Sequence, residues 1–123
     1  MRNDEFKKDL LERTFKFSVR ILKLSSNLPK NPAGYALANQ LVRSGTSIGA
    51  NLQEAQSAHT RKDFANKISI SLKEARETGY WIDLIIESEL ISKSKLTNLR
   101  LECEELIKIL VSVSKKLKLT PNS

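Results

Sequence analysis

The chain has 123 residues, 40% hydrophobic and 28% charged, with 21 Lys and Arg against 14 Asp and Glu for a formal charge of +7. That length fits one domain spanning 1–123, with a core that needs no disulfide or metal. No apolar run is long enough to span a membrane and Met1-Arg2-Asn3-Asp4-Glu5 lacks a hydrophobic signal segment, so a cytoplasmic location is expected; the single cysteine excludes an internal disulfide.

Only 4 Gly and 3 Pro are present, and the prolines fall outside the periodic runs, which favours long helices. The first helix is predicted over about 4–27. Leu10, Thr14, Phe17, Ile21, Leu24 and Leu28 form its seam, and Asn3 is its expected N-cap ahead of Asp4 and Glu5. Leu11, Phe15 and Leu22 fall off that seam, either as a widened core stripe or as exposed side chains. Asn31 can then cap a second helix, over about 32–57, with Pro32 at its first position.

This second helix carries two stripes. Gly34, Ala38, Leu41, Gly45, Ile48, Leu52 and Ala55 recur at steps of four and three, and beside them run Gln40, Ser44, Ser47, Asn51 and Glu54. Gly45 and Gly49 each cost about 1 kcal/mol of helix stability against alanine, an expense that makes sense where another helix approaches closely. Arg43 and Glu54 share a face but stand about 16 Å apart along the axis, so neither can pair with the other. The polar row is therefore expected to form an inter-helix or inter-subunit hydrogen-bond network involving Gln40, Arg43, Ser44, Ser47, Asn51 and Glu54.

A third helix is predicted over about 61–90, with Thr60 and Asp63 placed as in a capping box and a seam of Ala65, Ile68, Leu72, Ala75, Gly79, Ile82 and Ile86. Ile70, Trp81 and Leu84 lie well away from it and are read as a subunit interface. The fourth helix, over about 95–118, has the seam Leu96, Leu99, Cys103, Leu106, Leu110, Val113 and Leu117, which makes Cys103 a buried structural thiol. Four such helices joined by short loops specify an all-α fold, an antiparallel up-down-up-down four-helix bundle in which the first and last helices are neighbours.

Charge is unevenly distributed. Residues 1–30 hold eight Lys and Arg against four acids, residues 91–123 seven against three, and residues 31–90 six against seven. Adjacent first and last helices would merge the two basic segments into one surface, built from Lys7, Lys8, Arg13, Lys16, Arg20 and Lys23 with Arg100, Lys108, Lys115, Lys116 and Lys118. Local pairs (Asp4 with Lys8, Asp9 with Arg13, Glu12 with Lys16, Glu104 with Lys108) neutralise part of it, and the remainder suits a salt-sensitive polyanion contact. Aromatic residues make up only 6%, which does not support base-specific reading.

Catalytic patterns are weak. Ser44-Gly45-Thr46-Ser47-Ile48-Gly49 lacks the Gly-Lys-Ser/Thr ending and preceding strand of a phosphate loop. One His and one Cys cannot supply a His/Cys zinc cluster, and no Glu-x-x-His motif of di-iron bundles is present, so no metal, cofactor or catalytic residue is expected. Ser92-Lys93-Ser94-Lys95 fits Ser-x-x-Lys only formally, in a stretch where a helix cap is expected, and His59 is read as an exposed loop residue.

The run Gln40-Leu41-Val42-Arg43-Ser44-Gly45-Thr46-Ser47-Ile48-Gly49-Ala50-Asn51-Leu52-Gln53-Glu54, with Lys62-Asp63-Phe64 and Ser71-Leu72-Lys73-Glu74 downstream, resembles the four-helix-bundle family of 23S rRNA intervening-sequence proteins. The family pattern Gln-Leu-x-Arg-Ser/Ala-x-x-Ser-Ile-x-x-Asn-x-x-Glu falls on Gln40, Leu41, Arg43, Ser44, Ser47, Ile48, Asn51 and Glu54, and Ala55 stands where a glycine is common. The resemblance implies a ring-like homopentamer of antiparallel bundles, as in accessory proteins of diversity-generating retroelements, and a positively charged ring suited to nucleic acid. The expected function is thus a non-enzymatic oligomer that binds RNA or another nucleic acid through its basic surface. The alternative is a protein-protein scaffold or accessory subunit without direct nucleic-acid binding.

Overall fold

The computed structural model describes residues 3–119, which form four helices and, among the described residues, no strand: α1 (Asn3–Ser25), α2 (Pro32–Ala55), α3 (Arg61–Glu87) and α4 (Lys93–Leu119). No helix among these residues is long and apolar enough to cross a membrane. The four segments form a helical bundle around one core of aliphatic side chains, with Phe17, Ile21, Leu41, Ile48, Ile82, Leu96, Leu106 and Leu110 fully enclosed.

Boundary chemistry sets the helix starts. Asn31 accepts a hydrogen bond from the Gly34 N–H at 2.9 Å with Pro32 following, and Thr60 Oγ1 accepts from the Asp63 N–H at 3.0 Å. The backbone of α1 already includes Asn3, and the capping role expected of its side chain lies outside the described residues. Helix α3 ends at Glu87, three residues earlier than the periodicity predicts, because Glu89 takes a left-handed conformation (φ 58°) and turns the chain towards α4.

Long-range contacts fix the arrangement. Gly45 and Gly49 of α2 meet Ile21 and Thr14 of α1, so the helix that these glycines admit is α1. A Cβ on Gly45 would fall 2.8 Å from Ile21 Cγ1. Ser71 Oγ donates to the Ile48 carbonyl across α2 and α3 at 2.8 Å, and Cys103 Sγ to the Ala75 carbonyl across α3 and α4 at 3.3 Å. In each helix pair, later residues of one element meet earlier residues of the next.

The seams of α1 and α4 follow the sequence pattern, and that of α3 follows it in part, with Ile68, Ala75, Gly79 and Ile82 buried. Ser71, Glu74, Thr78 and Ile85 are buried, whereas Leu72 and Ile86 are only half-buried. The inward stripe of α3 is thus rotated towards polar residues, whose hydrogen bonds across to α2 and within α3 make that burial tolerable.

At one end of the bundle the four helices splay around an open cavity of about 260 Å³. Its wall is mostly apolar and draws on every helix, from Phe6 and Leu10 of α1 to Leu52 of α2, Phe64 of α3 and Leu117 of α4.

Candidate nucleic-acid interface

The polar row of α2 separates into two kinds of residue. Arg43 reaches α3, donating from Nη1 to Glu74 Oε2 at 3.0 Å and from Nη2 to Glu77, while its Nε donates to Gln40 at 3.3 Å. Glu77 in turn accepts from the Trp81 indole N–H at 3.1 Å. Glu54 accepts from Lys67 of α3 at 3.0 Å. Arg43 and Glu54 thus each tie α2 to α3.

The other members turn back on their own helix. Ser44 Oγ donates to the Gln40 carbonyl at 2.9 Å, Ser47 Oγ to that of Arg43 at 2.5 Å, and Asn51 Nδ2 to that of Ser47 at 2.8 Å. Ser44 is fully buried. Trp81 packs partly against the bundle core and lies edge-on to Tyr80 with ring centroids 5.1 Å apart; Ile70 is half-buried, and Leu84 is exposed.

Two arginines expected in the basic surface are already engaged. Arg13 of α1 grips Glu102 of α4 with Nη2 at 2.7 Å and Nε at 3.1 Å, and the hydrogen bond to Glu102 is the main reason that its pKa is raised. Arg100 donates to Asp83 of α3 at 2.8 and 3.3 Å and to Glu104 at 3.1 Å, with its guanidinium lying against Gly79. Its pKa is raised as well, chiefly by the hydrogen bond to Asp83. Glu104 is thereby paired with Arg100, where the spacing offers Lys108. Lys16 does pair with Glu12 at 2.8 Å, and Lys7 lies over the Phe64 ring, 5.7 Å from its centroid, facing the cavity end.

Lys8, Arg20, Lys23, Lys108, Lys115, Lys116 and Lys118 are exposed on α1 and α4. Arg20 lies seven residues after Arg13 and Lys95 seven before Glu102. In the antiparallel register fixed by that clamp, the two therefore face the same seam two turns further on, about 10 Å away. That stretch of the α1–α4 seam therefore carries Arg20 and Lys95, both exposed, with Lys23 also exposed on α1. Lys95 is one of the seven basic residues of 91–123 but not one of the surface residues named from the sequence. A search for residues seven apart from a cross-helix ion pair would have found it, but only with the pair known.

Cys103 is the one thiol. It is fully buried, and burial pushes its pKa up to about 12, so it is held as a neutral thiol. Among the described residues no group of His, Cys, Asp and Glu is placed to hold a metal.

The family model described as 23S rRNA-intervening sequence protein matches residues 7–112, nearly the whole bundle. The chain belongs to the 23S rRNA-intervening sequence protein family. A solved structure similar to this family member, from Bacteroides thetaiotaomicron VPI-5482, is described as a protein with unknown function from the S23 ribosomal protein family. It shares 40% sequence identity over 86% of this chain and 98% of its own, with a TM-score of 0.81. Among curated proteins none matches this 23S rRNA-intervening sequence family chain.

Proposed function

We propose that this protein is a non-enzymatic, cytoplasmic oligomer that binds RNA or another nucleic acid through the seam between α1 and α4. The feature that carries this reading is the placement of two exposed cations, Arg20 and Lys95, along the α1–α4 seam by the register of the Arg13–Glu102 clamp. Like charges gathered on one groove repel unless an anion lies between them, and a phosphate backbone supplies anions at a regular spacing. The description of the family, by its association with intervening sequences of 23S rRNA, supports RNA as the first polyanion to test.

The decisive measurement is the salt dependence of binding to a structured RNA, followed by fluorescence anisotropy. Affinity is expected to fall steeply and linearly on a log-log plot as salt rises, and Arg20→Glu with Lys95→Glu should weaken binding and flatten the slope. Binding that neither salt nor these reversals alters would remove the assignment.

Self-association forms the second part of the proposal, with the five-fold number resting on family resemblance. Phe15 is 69% and Leu22 50% exposed, with Val19 between them on the same side of α1. An exposed apolar stripe of this kind also supports the alternative reading, a protein-protein scaffold without direct nucleic-acid contact. Native mass measurement of the intact protein and of Phe15→Glu separates the cases: a strict monomer at micromolar concentration rules out the oligomer.

A further inference from the structure

We propose that the cavity at the open end of the bundle is a binding site for a small amphipathic anion, an acyl chain ending in a carboxylate. Three features of the site point to this class. The wall is apolar, built by Leu10, Leu52, Phe64 and Ile68 among others, so it favours a hydrocarbon body. Its volume of about 260 Å³ falls just below the ~300 Å³ at which ligand sites ordinarily begin, which suits a short chain over a cofactor. Lys7 and Arg61 are the cations in its lining on which the assignment rests.

Arg13, Arg43 and Arg100 each meet a carboxylate, whereas Arg61 meets a backbone carbonyl. Arg61 uses Nη2 to donate to the Leu117 carbonyl at 3.0 Å, and none of its other donors is engaged among the described residues. The Lys7 ammonium lies over the face of Phe64, against a ring instead of a carboxylate. A carboxylate at the mouth would complete both cations while its chain lay against the leucines, and the planar guanidinium suits that oxygen pair. Because all four helices contribute to the wall, an occupant would also tie together helix ends that otherwise meet only around a void.

Isothermal titration calorimetry on the intact protein with hexanoate, octanoate and decanoate tests the site, with alkylammonium ions of equal chain length as controls. Affinity is expected to tighten about fourfold per added methylene until the cavity is full and then to level off. Alkylammonium ions should bind at least tenfold more weakly. Arg61→Gln should weaken carboxylate binding about tenfold while leaving the helical circular dichroism signal unchanged, and Val113→Phe, which fills the cavity from α4, should abolish it. The proposal is overturned by absence of binding at millimolar concentration, by equal affinity for anions and cations, or by a folded Val113→Phe protein that binds as well as the parent. These outcomes are independent of whether RNA binds at the Arg20 and Lys95 seam.

Discussion

Arg13 and Glu102 hold α1 to α4 with two parallel hydrogen bonds, 2.7 and 3.1 Å long, across 89 residues of sequence. Both side chains are about a quarter exposed, so the pair is screened less than a free surface bridge, and its planar geometry is the favourable one. A double-mutant cycle with Arg13→Ala and Glu102→Ala should give a coupling energy of about 1 kcal/mol in urea unfolding. Additive effects would mean that the clamp is not populated in solution.

Gly34 and Gly49 should respond very differently to alanine. A Cβ at Gly34 would sit 1.7 Å from the Pro29 carbonyl oxygen, a backbone atom at the chain's entry into α2, whereas at Gly49 the nearest atom is Thr14 Oγ1 at 3.2 Å. Gly34→Ala is expected to cost roughly 3 kcal/mol, because the turn must move. Gly49→Ala should stay within about 1 kcal/mol of the parent, since the gain in helix propensity offsets modest crowding. Thermal unfolding of the two variants side by side checks the ranking.

The buried thiol makes a signed prediction about pH. Cys103 has a folded pKa of about 12 against an ordinary value of 9.0, so the folded state favours the protonated form. The associated stability is fully present below pH 9 and is lost as pH rises from there towards 12, reaching a loss of roughly 1 kcal/mol by about pH 10. Comparing the parent with Cys103→Ala cancels the lysines that titrate over the same range. The stability difference between the two should shrink above pH 9, and a constant difference would contradict the assignment. Alkylation of the native thiol should be slow for the same reason.

Glu89 occupies a left-handed backbone conformation with an exposed side chain. Non-glycine residues lose about 1 kcal/mol in that region, so Glu89→Gly should raise stability by about that amount. A rise in the urea midpoint with unchanged slope would bear this out. A lower midpoint would show that the carboxylate has a role that its exposure conceals.

Much of this fold is legible in the sequence where the signal is local. Asn31 with Pro32 and Thr60 with Asp63 mark helix starts through hydrogen bonds spanning three residues, and the seams of α1 and α4 follow from a three-four alternation of large apolar side chains. Helix α3 is harder, because Ser71, Glu74 and Thr78 look outward by composition and are buried only once α2 supplies a carbonyl and an arginine. The charged residues behave likewise. Arg13 has Asp9 one turn away and takes Glu102 instead, a choice made by tertiary distance that no spacing rule contains. The cavity is assembled from four helix ends, so no single segment carries its signature.

The separations of these cross-helix ties also bear on the order in which the chain assembles. Arg43 reaches Glu74 across 31 residues, whereas Arg13 reaches Glu102 across 89. Loop-closure entropy rises with the length of chain enclosed, so the α2–α3 hairpin is expected to nucleate folding and the α1–α4 seam to close last. High φ-values at Ser71 and low ones at Arg13 would be the kinetic signature. A nascent chain would then present its basic groove only after the rest of the bundle had formed, so premature contact with polyanions would be disfavoured by the timing of folding itself.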